Sequence, residues 1–310
     1  MTRAVRVAAV VLGVAAVVLA PFVLSDLNMR LTNLAIISAI AALGLTAAFG
    51  YTGLIQLGQA TFVGIGGYTA AILTAKLGWS PWLALPVAIV LAGVSAALVG
   101  ASMLRLKGHY LALATVGLSV SFEIVAKTWV SLTGGFDGIS SIPPFAVAGV
   151  AIVNDRQVYW LFAILLSITC LMIYLIRASH LGRNMIAVRD DEIAAQAAGV
   201  DVWAIKVKAM AMAGVCGGLS GSLFAHYAAY VSPSDFSLVR SIEYLAIVIV
   251  GGETSIMGAV IGSLFFTYLP EWLRFFGKET YPTFFGLITL AVLILLPHGI
   301  MGLLRRSRLA

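Results

Sequence analysis

Charge is what this sequence has least of. Only 10% of its 310 residues are charged, against 61% hydrophobic. Soluble globular domains carry about 25% charged residues, so an ordinary soluble protein is excluded. A disordered chain, which needs low hydrophobicity and high charge, is excluded as well. Cysteine is nearly missing: Cys170 and Cys216 sit inside apolar runs with no CxxC spacing and no nearby histidine, which gives neither a disulfide nor a zinc framework. The four histidines, His109, His180, His226 and His298, are scattered. HExxH, GxxxxGK[ST] and GxSxG are all missing, so no zinc-protease helix, phosphate-cradling loop or nucleophile elbow is written in the chain. The net charge is +6, but no basic block is interleaved with aromatics, and a nucleic-acid surface is not indicated.

What the chain does have is long apolar runs. They fall at about 7–24, 31–50, 60–77, 81–104, 109–130, 158–176, 205–230, 242–252, 255–273 and 281–297. A bilayer-spanning helix takes about 20 apolar residues. The sequence therefore predicts an all-α polytopic membrane protein with about ten membrane-embedded helices, in a range of eight to eleven, forming a single transmembrane domain over 1–310. Residues 60–77 and 242–252 are short or interrupted by glycine and read as broken or re-entrant. The first run, Val7 to Leu24, is longer than a signal-peptide core and reads as a retained helix.

Basic residues orient the spans. Arg3 and Arg6; Arg105 and Lys107; Arg177, Arg183, Arg189, Lys206 and Lys208; and Arg305, Arg306 and Arg308 hold 12 of the 19 lysines and arginines. With ten crossings all four clusters share one side, which by the positive-inside rule makes both termini cytoplasmic. Residues 131–157 then form an external loop and 177–205 a cytoplasmic one.

Embedded polar residues are few. Glu123 and Lys127 are four apart, on one helical face, and read as a self-neutralising pair. Glu243 and Glu253 flank the short 242–252 segment. No acid cluster of the kind an ion-coupled carrier places near the midplane stands out. Glycine is dense at Gly50, Gly53, Gly58, Gly64, Gly66 and Gly67, with Gln56 and Gln59 among them, and again at Gly214, Gly217, Gly218 and Gly221. Small residues let membrane helices pack closely, but glycine also permits unwound backbone beside a translocation path. Both readings fit residues 50–67.

The cytoplasmic stretch 177–208 reads RASHLGRNMIAVRDDEIAAQAAGVDVWAIKVK. Asp190 or Asp191 can cap a helix of about two turns, which Gly199 can stop. Its small, alanine-rich face suits a groove on a partner protein. The segment RDDEIAAQAAG resembles the coupling-helix loop of ABC importer permeases, in the form with seven residues from Glu192 to Gly199 that marks the branched-chain amino acid subgroup. GYTGLIQLGQATFVGIGGYTAAIL from Gly50, LKGHYLALATVGL from Leu106, TGGFDGI from Thr133, GGETSIMGAVIG from Gly251 and PHGIMG from Pro297 are similar to further blocks of the same family, the LivM-like permeases. Gln56 stands where serine is usual and Gly67 where alanine is usual.

The resemblance implies a multi-pass permease subunit in a bacterial inner membrane. Its partners would be an H-type permease, two ABC ATPases and an external binding protein. ATP and magnesium would bind those ATPases and no cofactor would bind this chain, which is not itself an enzyme. Arg189, Asp190, Asp191, Glu192, Ala194, Ala195 and Gly199 would couple to the ATPase. Gln56, Gln59, Thr61, Thr115 and Ser119 are the candidate substrate-pathway residues. The cargo would be branched-chain amino acids, with urea, amides or aromatic or dicarboxylic acids as same-family alternatives and an ion-coupled carrier as the alternative of another class.

Overall fold

The computed structural model describes residues 19–103, 109–147, 149–273, 286 and 299–301. The apolar runs at 7–24 and 281–297 lie mostly outside them, as do three of the six residues of PHGIMG. Ten helices organise the described chain: α1 (Asp26–Leu45), α2 (Gln59–Ala71), α3 (Pro81–Met103), α4 (His109–Thr128), α5 (Asp155–Ala178), α6 (His180–Asp190), α7 (Glu192–Ala197), α8 (Val202–Ala228), α9 (Leu238–Gly251) and α10 (Ile256–Leu273). Among the described residues six helices are long and apolar enough to cross a membrane: Asp26–Gly50, Pro81–Met103, Tyr110–Thr128, Asp155–Ala178, Val202–Ala228 and Ile256–Leu273. The chain is thus a mostly helical, multi-pass protein.

α1 is the central element. It packs against α5, α8, α9 and α10, and Met29, Ile40, Leu43 and Leu45 are fully buried. A second layer is α8 held between α2 and α3, and glycine makes this possible. A Cβ on Gly66 would stand 2.5 Å from the Gly218 Cα, and one on Gly221 would overlap the Val63 carbonyl. The second glycine group is therefore close packing of backbones, the drive available where lipid removes the hydrophobic one. α3, α4 and α5 leave apolar residues outward, among them Leu98, Leu113 and Ile168, as expected of surfaces facing acyl chains or a partner span.

Two further helices, α2 and α9, are not among these six. α2 has 13 residues, with a π turn at Ile72–Lys76 after it, and α9 has 14. α1 ends in a π turn at Thr46–Gly50, and residues 53–58 are unwound before α2 begins. Gln59 at the start of α2 bonds to the carbonyl of Ala213 on α8. Ala213 lies eleven residues into that helix, about 16 Å along a rod about 40 Å long. α2 then runs parallel to α8, with Gly66 against Gly218 and Gly67 against Gly221. α9 starts at the same level, where Ser241 meets Ala60, and runs the opposite way to Gly251. The 60–77 run is thus a continuous helix of 13 α and 5 π residues with an unwound entry, and the 242–252 run lies in a helix of 14 residues.

The two loops carry more structure than their sequences indicate. Residues 131–157 contain a helical turn at Val130–Thr133, a 3-10 turn at Gly135–Asp137 and three of four short strands: β1 (Ile139–Ser140), β2 (Ala146–Val147) and β3 (Val150–Ala151). β1 pairs antiparallel with β4 (Tyr230–Val231), Ile139 opposite Val231, and ties the loop to the end of α8. β2 pairs with β3. The 177–205 stretch holds two helices where one is predicted. α5 runs to Ala178, α6 fills His180–Asp190, and α7 is the predicted two-turn element. α6 forms because Gly182, Met185 and Val188 recur every three residues and are buried on one face.

Candidate functional site

The candidate coupling elements lie at the end of the bundle that carries Arg177, Arg189 and Lys206. α7 is set by its caps. Asp191, not Asp190, is the N-cap: its Oδ1 accepts from the backbone N–H groups of Ile193 at 2.8 Å and Ala194 at 3.0 Å. Gly199 has φ +83°, the left-handed conformation that closes a helix at little cost only with glycine. Its N–H donates to the Gln196 carbonyl and that of Val200 to the Ala195 carbonyl, each at 3.0 Å. This is the paired C-terminal bond pattern of a Schellman cap. Ala195 faces inward and is buried, whereas Glu192, Ala194, Gln196 and Ala197 are exposed. Ile193 is 81% exposed, a large apolar side chain at the tip of a polar loop.

Arg189 joins this loop to the membrane helices. Its Nη1 donates to the Gly50 carbonyl at 2.6 Å, and its Nη2 forms an ion pair with Glu253. Gly50 ends the π turn that precedes the unwound segment, and Glu253 sits in the turn between α9 and α10. Arg177 donates to the Thr254 carbonyl at 3.0 Å and lies 5.5 Å above the Tyr51 ring. Lys206 pairs with Glu192 and ties α7 to the start of α8. Asp190 is exposed.

The five candidate pathway residues are brought together and are all buried, none more than 2% exposed. Thr115 and Ser119, one turn apart on α4, clasp the unwound segment: Leu57 N–H donates to Thr115 Oγ1 at 2.9 Å, and Ser119 Oγ donates to the Leu57 carbonyl at 2.7 Å. Gln59 Nε2 donates to the carbonyls of Ala41 and Ala213. Gln56 Nε2 donates to Gln59 Oε1 at 3.1 Å, while the Gln56 Oε1 has no partner among the described residues. Thr61 Oγ1 reaches Ser119 Oγ at 3.5 Å. Backbone without a helix survives among apolar spans only if its polar groups are satisfied internally, and Thr115 and Ser119 do that at Leu57.

Ser241 completes the network and is missed by sequence reasoning. Its Oγ accepts from the Ala60 N–H at 3.0 Å and lies 3.4 Å from Ser119 Oγ. It joins the first turns of α2 and α9, so two helix N-termini, each with partial positive charge, converge inside the bundle. Broken helices with inward-facing N-termini are a recurring architecture of transporter interiors. The predicted Glu123–Lys127 pair forms at 2.6 Å and stands apart from this network, with Lys127 also above the Phe136 ring. Among the described residues no group of three or more metal-ligating side chains occurs.

Residues 28–297 match the family described as the permease component of branched-chain amino acid transport systems. The chain is 32% identical to the high-affinity branched-chain amino acid transport system permease protein LivM of Escherichia coli K12, over 92% of this chain and 72% of that one. It is 23% identical to the probable LivM of Methanocaldococcus jannaschii, over 84% and 89% respectively. It is 24% identical to the ribose import permease protein RbsC of Haemophilus influenzae, over 84% and 80%. No solved structure matches the chain. With its spans, its capped loop helix and its broken-helix interior, the chain belongs to the branched-chain amino acid permease family of ABC transporters.

Proposed function

We propose that this chain is one half of the translocation path of an ATP-driven importer of branched-chain amino acids, and that α7 transmits the ATPase cycle to it. The supporting observation is the Arg189 contact: the residue two before the α7 cap holds both the Gly50 carbonyl and Glu253. A push on α7 is delivered through Arg189 to the unwound segment before α2 and to the α9–α10 turn. These are the two places where α2 and α9 join the rest of the bundle. Arg189, Asp191, Glu192, Ala194, Ala195 and Gly199 shape this lever, and Asp190 contributes charge at its exposed edge. Gln56, Gln59, Thr61, Thr115 and Ser119 form the layer behind the path, and Thr115 and Ser119 hold its unwound backbone at Leu57.

In this reading the chain sits in the inner membrane with the α7 end and both termini in the cytoplasm. It pairs with an H-type permease and receives cargo from an external binding protein. ATP and magnesium act on two ATPase subunits, so the chain itself is not catalytic. The branched-chain cargo is favoured by the family, and urea, amides or aromatic or dicarboxylic acids are the competing cargoes.

Ile193 gives the cleanest test, because it is exposed and its replacement leaves the fold alone. Wild-type chain with an affinity tag is expected to bring down an ATPase, and Ile193→Asp to lose it while keeping the partner permease. Equal recovery of the ATPase by both proteins sinks the coupling role. An ion-coupled carrier predicts that the chain runs alone and that uptake survives ATP depletion.

A further inference from the structure

α9 carries charge where the bundle has almost none. Arg240 and Glu243 lie in its first turn and a half, joined by an ion pair at 2.7 Å, with side chains 52% and 31% exposed. Their level is fixed by Ser241 between them, which bonds the first turn of α2 deep within the helix stack. Charged side chains at such depth face protein or a water-filled cavity, not lipid. Here they face a cavity of about 370 Å³, within the size range of small-molecule sites.

The two walls of that cavity differ. One carries Arg240, Glu243 and Asp235; the other is apolar, built from α1, α8 and α10 with Leu34, Phe224 and Phe266 among its residues. Asp235 is fixed by Ser232, whose N–H and Oγ both donate to its Oδ2 at 2.9 and 2.8 Å. Ser237 makes no side-chain cap bond to the first turn of α9, so the positive end of that helix faces the charged wall without a side-chain cap.

We propose that this cavity is a transit site for a zwitterionic α-amino acid with an apolar side chain. The carboxylate pairs with Arg240 at the α9 N-terminus, the ammonium with Glu243 and Asp235, and the side chain enters the apolar wall. The zwitterion exchanges one ion pair for two of the same kind, so the net charge of the cavity is unchanged by loading. Two acids against one base disfavour a dicarboxylate, and urea would leave the apolar wall uncovered. The inference rests on the permease reading and names the substrate class of its path.

The test uses the complete transporter in nanodiscs, without the binding protein, with Cys170 and Cys216 replaced by alanine and Thr267→Cys introduced in the cavity wall. Labelling by a small, membrane-impermeant thiol reagent is followed over time. Leucine at saturating millimolar concentration is expected to slow labelling at least fivefold. 4-Methylpentanoate, which lacks the ammonium, and 3-methylbutylamine, which lacks the carboxylate, are expected to have no effect at the same concentration. Arg240→Gln and Glu243→Gln should each abolish protection while leaving the unprotected labelling rate unchanged, a combination that a merely structural ion pair does not give. No slowing by leucine, or equal slowing by either single-charge analogue, overturns the site. ATP-driven uptake by a preparation with no leucine protection rejects the site and leaves the permease reading intact. Leucine protection in a preparation whose uptake ignores ATP does the reverse.

Discussion

Arg189 donates a 2.6 Å hydrogen bond to the carbonyl of Gly50, a residue 139 positions earlier in the chain. The α9–α10 turn meets Gly50 closely because Gly50 has no side chain; a Cβ there would overlap the Glu253 carbonyl. One arginine therefore gathers the end of α1 and the α9–α10 turn at the base of the α6–α7 loop. Hydrogen bonds to charged groups contribute about 1.5–3 kcal/mol each, and the partial exposure of this pair lowers the ion-pair share. Arg189→Met is expected to leave the complex assembled but to reduce leucine uptake per ATP hydrolysed about tenfold or more, with Arg189→Lys intermediate. Uptake and phosphate release measured on the same proteoliposomes check this; an unchanged ratio removes Arg189 from the transmission path.

Asp191 and Asp190 are adjacent and chemically alike, yet only Asp191 caps α7. Losing an N-cap costs about 1 kcal/mol, about a fivefold change in a local opening equilibrium. Asp191→Ala is expected to speed amide hydrogen exchange across 193–199 by about that factor, and Asp190→Ala to leave it unchanged. Equal effects of the two substitutions contradict the assignment.

Ser241 is the one hydroxyl that receives the Ala60 N–H. Ser241→Ala leaves a buried donor unpaired, at a cost of about 1–3 kcal/mol. The detergent-solubilised complex is expected to unfold at lower temperature, with Ser241→Thr closer to wild type. A thermal midpoint that Ser241→Ala leaves in place denies the network its structural role.

Gly221 and Gly117 provide a matched pair in helices. A Cβ on Gly221 would overlap the Val63 carbonyl, whereas one on Gly117 meets nothing within 4 Å among the described residues. Overpacking typically costs about 1–3 kcal/mol, while alanine in an open helical position is about 1 kcal/mol better than glycine. Gly221→Ala is therefore expected to lower the midpoint and Gly117→Ala to hold or raise it. A reversal of that order would falsify the packing account of α2 against α8.

Much of this is legible in the residues, and the exceptions have physical causes. Six of the ten apolar runs give helices long and apolar enough to cross among the described residues, because a run of about 20 apolar residues is a local signal. Asp191, Glu192 and Gly199 give α7 because caps are local chemistry. Gln56 and Gln59 announce a buried polar site because amides in an apolar run require partners. Ser241 carries no such signal: its partner Ala60 is 181 residues away, and a lone serine beside Arg240 reads as the edge of a loop. α6 is hidden for the opposite reason, since its charged surface residues mask the three-residue spacing of Gly182, Met185 and Val188. Pairing of Arg240 with Glu243 is readable from their spacing, but the cavity beside them is assembled from α1, α8 and α10, which no local pattern contains.

The most direct measurement of the central claim is leucine uptake and ATP hydrolysis in the same proteoliposomes, comparing wild type with Ile193→Asp. Wild type is predicted to accumulate leucine only when ATP is hydrolysed, and Ile193→Asp to lose accumulation while its membrane insertion and pairing with the second permease persist. Accumulation without ATP, or full ATP-driven accumulation by Ile193→Asp, contradicts the account.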